Sequence, residues 1–439
     1  MQHKALRLIL ILAVSLVFGF GAVAQNLTKS PYSVIGIGET QFQGTAQQSS
    51  MGQVGQGIRK ISELNTLNPA SYSALKYTVI EAGFLYGQGT LSQNSSKSAI
   101  ENSSFTYFMI GLPLSIKHKV GMVFGLAPYS SIGYNVSTTA TYPYYTATTY
   151  MNGTGGLSKF NMGVGTQVLK NVSVGMNVSY IFGQLHTEQK FIIPAEYNKF
   201  NIAETRSRIV GGSQVQGGVQ YHKNFEKGLK KDKYNFTAGA TYSLSANLNG
   251  KQEYFVKTMH VGSTLGTKDT IAYTDSEKGS IRLPYAFSIG AGLEKTDQWM
   301  VAFDVHTTNW SEYRSFGNAD SLQNNYGVNV GGSFIPKAMD KHYFNRIEYR
   351  AGARYDAGNM VLGGQNISSY GVSVGVGLPL GKAKKYSDNE VPKPPSKLNI
   401  TGEYYVKGTT TNNLIKEEYF RIIIGINFSD KWFHRYKYD

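Results

Sequence analysis

Residues 234–245 read Tyr-Asn-Phe-Thr-Ala-Gly-Ala-Thr-Tyr-Ser-Leu-Ser, so large or apolar side chains alternate with small or polar ones. A period of two is the spacing of a β-strand, whose successive side chains point to opposite faces, and no helical period fits it. The same alternation recurs at residues 172–183, 160–165 and 420–428. A β-sandwich also alternates, but its polar face carries the charges and threonines of a water-exposed sheet. Faces of Gly, Ser and Asn instead fit the crowded interior of a membrane β-barrel, whose outer face contacts lipid.

The composition excludes several other protein classes. The chain has 439 residues, of which only 16% are charged, 13% are aromatic and 49 are Gly. This is not the composition of a soluble helical enzyme, in which about 25% of residues are charged. The absence of Cys excludes disulfides, thiolate metal sites, a cysteine nucleophile and a lipid-bearing Cys. Beyond the N-terminus no run of about 18 apolar residues occurs, which excludes a bundle of membrane-spanning helices.

The chain divides into four parts. Residues 1–24 form a predicted signal peptide, with a basic start, an apolar stretch and Ala22-Val23-Ala24 before the cleavage site. A Gly-rich segment at 25–75 precedes the barrel at 76–429. An aromatic and basic tail at 430–439 is expected in the periplasm, either as an interfacial anchor or as a partner-binding segment.

Fourteen alternating segments are predicted to be the barrel strands, which makes the fold all-β: an antiparallel transmembrane β-barrel in the outer membrane of a Gram-negative cell. An even number of strands places both termini in the periplasm. Residues 252–260 and 134–150 could also pair, which leaves the strand count open by about two. The predicted strands are 76–90, 104–116, 119–130, 154–169, 171–187, 206–222, 234–248, 281–295, 298–308, 325–335, 346–357, 368–380, 396–407 and 417–429.

The links between these strands alternate in length, as expected for short periplasmic turns and long outer loops. The predicted outer loops include 131–153 and 249–280. Two longer inner links, 223–233 and 381–397, each carry five lysines against two acidic residues. These basic links predict a positive periplasmic rim that contacts lipid headgroups or docks a protein partner. Without a recognition motif or stacking platform, the charge of +15 does not indicate a nucleic-acid partner.

The segment before the barrel does not alternate and is rich in Gly, including Gly52 and Gly55, and it ends near Asn68-Pro69-Ala70. Wide barrels are commonly plugged by their own chain. With its Gly-rich start, Asn-Pro-Ala ahead of the first strand and fourteen strands, the chain resembles the FadL-like family of outer-membrane hydrophobic-compound transporters. The resemblance implies an N-terminal hatch in the lumen, made partly of these five residues, and an apolar ligand site.

The same resemblance implies an opening in the wall beside a kinked third strand. In the third predicted strand, Pro128 cannot donate a ladder hydrogen bond, and Gly121 and Gly125 weaken side-chain pairing. These three residues are therefore the candidates for a lateral opening. The alternative is that Pro128 only ends the strand at the outer rim.

Charged residues on the predicted inner faces form the remaining candidate site. Asp304 and His306 share a strand face, which would permit a general-base pair. Strand parity places Arg282, Glu348, Arg350 and Arg354 on the same inner side, which favours a polar network in the lumen instead. No close-spaced His pair, Gly-x-Ser-x-Gly elbow or phosphate loop occurs, so no metal, cofactor or enzymatic activity is expected.

Two functions are compatible with these features. The first is passive uptake of hydrophobic small molecules, fatty-acid-like in character, with lateral release into the membrane lipids. The second is a structural or adaptor subunit of an outer-membrane protein secretion or insertion complex. A continuous apolar pocket in the lumen would favour uptake, and a fully packed lumen with a sticky outer face would favour the adaptor.

Overall fold

The computed structural model describes residues 28–194, 200–227, 232–259, 267–382 and 393–431. The predicted signal peptide lies outside these residues, as does the predicted tail from residue 432 onward. Among the residues described, none of the helices has the length and apolar character needed to cross a membrane.

Fourteen antiparallel strands form a closed barrel, as predicted. Each strand pairs with its neighbour in the chain, and the first strand closes on the last through the register Thr78↔Asp430 to Ser92↔Lys416. The strands are β1 Thr78–Gln93, β2 Ser96–Ser115, β3 Val120–Thr141, β4 Thr146–Leu169, β5 Val172–Ile192, β6 Asn201–Lys227, β7 Asp232–Ser243 with Ala246–Met259, β8 Thr267–Leu283 with Ala286–Lys295, β9 Trp299–Thr308, β10 Asn325–Phe334, β11 Glu348–Asp356, β12 Ser369–Pro379, β13 Lys397–Lys407 and β14 Lys416–Asp430.

The prediction that residues 131–153 and 249–280 form outer loops is wrong, because most of these residues lie in strands. β3 and β4 continue as a ladder to the pair Thr141↔Thr146. β7 and β8 continue past short interruptions and pair as far as Met259↔Thr267. The segments that could have been extra strands therefore lengthen existing ones, and the count stays at fourteen.

The wall has an apolar outer face and a small, polar inner face. On β5, Met176 and Tyr180 are 54% and 51% exposed, whereas the intervening Asn177 and Ser179 are 1% and 3% exposed. Exposed apolar side chains on β5 end at Phe182, which is level with Ser158 on β4 and with Pro128 on β3. Such a belt is stable only in contact with lipid, so the barrel spans the outer membrane and Pro128 marks its outer boundary on β3.

One side of the wall is much taller than the other. β3 to β6 have 21 to 27 residues, whereas β9 to β13 have 9 to 11. A tilted strand of about 9–11 residues is enough to cross the bilayer. The tall side therefore extends well above the membrane on the outside.

Loops from the short side fold inward and close the outer half of the lumen. Between β9 and β10 lie the turn Trp310–Glu312 and the two-residue strands Arg314–Ser315 and Asn318–Ala319, and between β11 and β12 lie Val361–Leu362 and Gln365–Asn366. The loop side chains pack into a buried apolar cluster with strand residues of the tall side. Its larger members are Tyr32, Ile37, Ile132, Tyr134, Leu157, Ile181, Leu185, Leu248, Ile281, Leu283, Trp310, Tyr313, Leu322, Met360 and Ile367.

Residues 28–77, which precede β1, lie inside the barrel as a series of short elements. They are the 3-10 turn Pro31–Val34, the two-residue strand Glu39–Thr40, the α-helical turn Ala46–Ser49 and the 3-10 turn Pro69–Ala74. Asn68 starts the last turn, since its side-chain oxygen accepts a hydrogen bond from the Ala70 N–H at 3.1 Å. Partners of this segment lie on strands around the whole barrel, which fixes its position within the lumen.

Two further 3-10 turns lie outside the barrel strands. Phe344–Arg346 belongs to the periplasmic link before β11, and Thr411–Asn413 belongs to the outer link between β13 and β14.

Candidate functional site: the filled lumen and the gap between β2 and β3

The turn Pro69–Ala74 packs directly on the backbone of the barrel wall. A β-carbon on Gly175 would overlap Pro69, and one on Gly121 would overlap the carbonyl oxygen of Tyr72. The Tyr72 hydroxyl lies 3.0 Å from Oδ1 of Asn177 on β5. Glycines on the inner face of the wall therefore provide the space that this turn fills.

A second contact joins the middle of the segment to β9. Both oxygens of Asp304 are deep in the lumen, and Oδ2 accepts hydrogen bonds from the N–H groups of Gly55 and Gln56 at 2.6 and 3.0 Å. The Gly52 N–H donates to Oγ of Ser373 at 3.1 Å. The carboxylate of Asp304 thus holds the backbone of the N-terminal segment.

Two ion pairs join the inner half of the segment to the wall, and two more connect their wall residues to one another. Lys60 pairs with Glu294, and Lys397 pairs with Glu63 at 2.6 Å and with Glu348 at 2.7 Å. Glu348 also pairs with Arg350 at 2.6 Å. Because all these groups are largely buried, each charge depends on its partner.

The predicted polar network falls into separate parts. Glu348 and Arg350 belong to the inner cluster, and Asp304 binds the backbone of the N-terminal segment. Arg354 instead pairs with Glu403 at 2.8 Å. His306 lies 3.3 Å from Asp356 rather than from Asp304.

Arg282 does not join these groups. It is exposed and pairs with Glu312 at 3.2 Å, while its neighbours Ile281 and Leu283 point into the buried apolar cluster. The interruption of β8 at residues 284–285 reverses the strand's parity, because Phe287 and Ile289 below it are the exposed residues. The inner position predicted for Arg282 is therefore wrong.

Residues that were not predicted hold the beginning of the segment. The Ser30 hydroxyl donates to Glu417 at 2.5 Å, and Glu39 accepts from the Thr28 hydroxyl at 2.7 Å. Glu39 also pairs with Lys407 at 3.4 Å. The alternation in β13 and β14 could have identified Glu417 and Lys407 as inward, but not their partners. In the described part of the chain, no group of three or more His, Asp or Glu could hold a metal ion.

The barrel wall has a gap between β2 and β3. Their ladder runs from Ser115↔Val120 to Phe108↔Leu126 and contains no further pair among the described residues. The N-terminal segment enters this gap, where Glu39–Thr40 pairs antiparallel with Ser130–Ser131. The Gln41 N–H donates to the carbonyl of Tyr129 at 2.9 Å. The chain's own backbone therefore fills the lower part of the opening.

The three residues predicted to create the opening occupy different positions. Pro128 lies at the gap beside a register shift in the β3–β4 ladder, and its carbonyl accepts from Nε2 of Gln43 at 2.8 Å. Gly121 and Gly125 lie below the gap, in the part of β3 that is paired with β2. A β-carbon on Gly125 would overlap the carbonyl of Phe108, so this glycine allows close strand pairing.

Two small cavities border the N-terminal segment. A cavity of about 50 Å³ lies beside the gap, lined among others by Gln41, Phe42, Glu403 and Arg421. A second cavity beside Lys60 and other residues has about 10 Å³. Binding pockets for drug-sized ligands have about 300–1,000 Å³, so each of these cavities is much too small for such a ligand.

The described part of the periplasmic rim is less basic than predicted. Lys397, counted as a rim charge, turns inward to Glu63 and Glu348. Residues 228–231 and 383–392, which hold four of the ten lysines of the two basic links, lie outside the described residues.

In the link between β10 and β11, hydrogen bonds from the backbone of His342 and the side chain of Asn345 lower the pKa of Asp340 to about 2.

Comparison with solved structures confirms the FadL-type fold. A Pseudomonas aeruginosa FadL homologue superposes with a TM-score of 0.58 over 88% of this chain and 98% of its own, at 11% identity. The Ralstonia pickettii toluene transporter TbuX gives 0.55 over 88% and 99%, at 11% identity. The Pseudomonas putida toluene transporter TodX gives 0.54 over 90% and 100%, at 14% identity. At these identities the likeness concerns the fold alone.

Sequence comparison identifies the family. No curated protein matches the chain. The family model described as BamG matches residues 5–439, which is nearly the whole sequence. The chain is therefore a member of the BamG family, built on a FadL-type barrel.

Proposed function

We propose that this protein is a structural or adaptor subunit of an outer-membrane protein secretion or insertion complex. The observation that supports this proposal best is the filled lumen. In its outer half, loop and strand side chains pack into an apolar cluster whose members are at most 7% exposed. In its inner half the N-terminal segment leaves the small cavities described above.

The contacts of the N-terminal segment favour a permanent role as a hatch. To open a path, the segment would have to leave Asp304, Glu294, Glu348 and Lys397, each of which is at least largely buried and paired with it directly or through a neighbour. Removing one member of a buried ion pair typically costs about 3–5 kcal/mol. A barrel that keeps this closed state presents its surfaces, rather than its interior, for binding.

The tall side of the wall exposes apolar and aromatic side chains on its outer surface. Tyr144 in the β3–β4 turn is 85% exposed, and Ile271 and Tyr273 on β8 are 58% and 56% exposed. Ile271 and Tyr273 lie on a strand extension above the lipid belt, and Tyr144 lies in the turn that ends another. Aromatic and apolar side chains exposed to water are typical of protein interfaces.

A second candidate function is uptake of hydrophobic compounds across the outer membrane. The FadL-type fold shared with toluene transporters supports it, together with the gap between β2 and β3 beside Pro128. In this function the hatch moves aside, and an apolar ligand, fatty-acid-like in character, leaves sideways through the gap into lipid.

A reversible lock on the hatch distinguishes these functions. The chain has no Cys, so an engineered pair has no competing thiols. An ideal β-carbon at residue 375 lies 2.6 Å from that of Ser50, about 1 Å short of disulfide spacing. We therefore suggest Ser50→Cys with Gly375→Cys, with each single variant as control.

The measurements are recovery of protein partners in mild detergent and uptake of toluene by cells that contain only the variant. We expect an outer-membrane complex that is recovered equally from the oxidised and the reduced forms. If the unmodified chain is recovered without protein partners, and oxidation stops toluene uptake, the adaptor proposal is wrong and the uptake function stands.

A further inference from the structure

The gap between β2 and β3 leaves a free strand edge above the membrane. Beyond Ser131, β3 has no ladder partner on its β2 side among the described residues. The Gly133 N–H donates to the Ser33 hydroxyl at 3.1 Å, and no later residue of β3 is bonded on this side within the described chain. The unpaired stretch is Tyr134–Thr141.

The orientation of the backbone in this stretch follows from its neighbours. The Tyr142 N–H donates to the carbonyl of Tyr145 at 2.8 Å, so even-numbered residues of upper β3 pair with β4. Gly133, which is odd-numbered, bonds on the opposite side. In a strand, alternate residues point their N–H and C=O groups to opposite sides. Asn135, Ser137, Thr139 and Thr141 therefore direct theirs to the free edge.

The free edge lacks the features that normally prevent strand addition. Natural edge strands are protected by charges, Pro, bulges or covering segments. Residues 135–141 read Asn-Val-Ser-Thr-Thr-Ala-Thr, with no charge and no Pro, and all but half-buried Val136 are exposed. The hydroxyls of Thr139 and Thr148 lie 3.2 Å apart and stabilise the hairpin, so the edge is preformed.

The lower part of the same edge already accepts an added strand. Glu39–Thr40 pairs there antiparallel with Ser130–Ser131. The segment leaves the edge at Gly38, which has φ of +83° and lies so close to Ser131 that a β-carbon would overlap it. The chain's own strand therefore stops where the unpaired stretch begins.

We propose that an extended segment of another protein, on the extracellular side, adds as a β-strand to residues 134–141 of β3. Since the belt on β3 ends at Pro128, this edge lies in water, and lipid cannot satisfy its backbone groups. Strand addition gives affinity through main-chain hydrogen bonds. An uncharged edge with Thr and Ser side chains fits a partner segment that is likewise extended and uncharged. This inference rests on the proposed adaptor function and names the surface used.

The test removes edge-facing donors without touching the β3–β4 ladder. Asn135→Pro with Ser137→Pro deletes two N–H groups that point to the free edge, where Pro is tolerated. Asn135→Ala with Ser137→Ala is the matched control, because it changes the same side chains and keeps both donors. Heat-modifiable mobility on gels checks that each variant forms a barrel.

Each variant is purified from outer membranes in mild detergent, and amide hydrogen exchange of residues 133–141 is measured in the recovered complex. In the complex of the unmodified chain, we expect the amides of residues 133–141 to exchange more slowly than in the protein without its partner. The Pro variant should recover at least tenfold less partner than the unmodified chain. The Ala variant should recover an amount within twofold of the unmodified chain. Equal recovery with Pro and Ala would overturn the edge proposal while the adaptor function stands. Recovery of no partner with the unmodified chain would overturn the adaptor function itself. A complex that contains only a second copy of this chain would also overturn the edge proposal.

Discussion

The backbone contact at Asp304 gives the most direct measure of how firmly the N-terminal segment is held. Oδ2 of this carboxylate accepts the N–H groups of Gly55 and Gln56, and the residue is 4% exposed. Asp304→Ala removes the acceptor from two buried donors. An unpaired buried donor costs about 1–3 kcal/mol, so the free energy that holds the segment should fall by about 2–6 kcal/mol.

The lower end of this range is the expected value, since a water molecule can enter the space that the carboxylate leaves. A change of about 2 kcal/mol corresponds to roughly a 30-fold rise in the open population. Asp304→Asn keeps one oxygen acceptor but loses the charge, which roughly halves the strength of such bonds. It should raise the open population less than Asp304→Ala does.

The assay is amide hydrogen exchange by mass spectrometry on peptides that cover residues 51–60, in detergent micelles. Val305→Ala is the control, because it shortens a neighbouring side chain on the opposite face of β9. Exchange in Asp304→Ala within twofold of the unmodified protein would refute the reasoning. So would an equal rise in Val305→Ala, because the effect would then come from β9 as a whole.

Two other predictions concern the buried ion pairs and the close packing of the wall. Lys397→Met leaves the buried Glu63 without its cation and removes one of the two cations of Glu348, so we expect a loss of about 3–5 kcal/mol in unfolding free energy, measured by guanidinium titration. Lys393→Met, which removes a pair whose acid Asp430 is 54% exposed, should cost at most about 1 kcal/mol, and equal losses would contradict the argument. Gly175→Ala places a methyl group against Pro69, so it should displace the segment and raise single-channel conductance in planar bilayers. Gly217→Ala is the control, because its β-carbon meets no atom within 4 Å, and it should leave the conductance unchanged. If Gly175→Ala also leaves the conductance unchanged, the segment accommodates the methyl group in place and the prediction is wrong.

The membrane part of the fold follows from the sequence because lipid imposes the alternation. The strand at 234–245 has one face in hydrocarbon and the other in the lumen, so its pattern is visible in a single sequence. Above the belt both faces of the sheet meet water, and residues 135–141 show no apolar alternation. For this reason the sequence predicts a loop at 131–153, although most of it continues the β3–β4 hairpin.

The partners of inward charges could not be predicted for a different reason. Parity correctly directs Glu348 and Arg350 inward, but Lys397 and Glu63 are 334 residues apart in the chain. Their contact depends on the barrel's register and on the path of the N-terminal segment, neither of which has a local signal. The wrong position of Arg282 has a local cause, since Pro284 interrupts β8 and the inward parity changes across the break.

The two candidate functions differ in whether the N-terminal segment moves, since both use the same barrel. In the closed state Glu39–Thr40 and Gln41 occupy the gap through which a ligand would leave. Release through the gap therefore requires breaking a strand pairing in the wall as well as the buried ion pairs below it. An uncharged hydrocarbon such as toluene has no group with which to replace those pairs, so its binding alone supplies little energy for the change. Uptake would then need a trigger from another molecule, whereas a fixed scaffold needs none, and this asymmetry favours the structural role for the closed barrel.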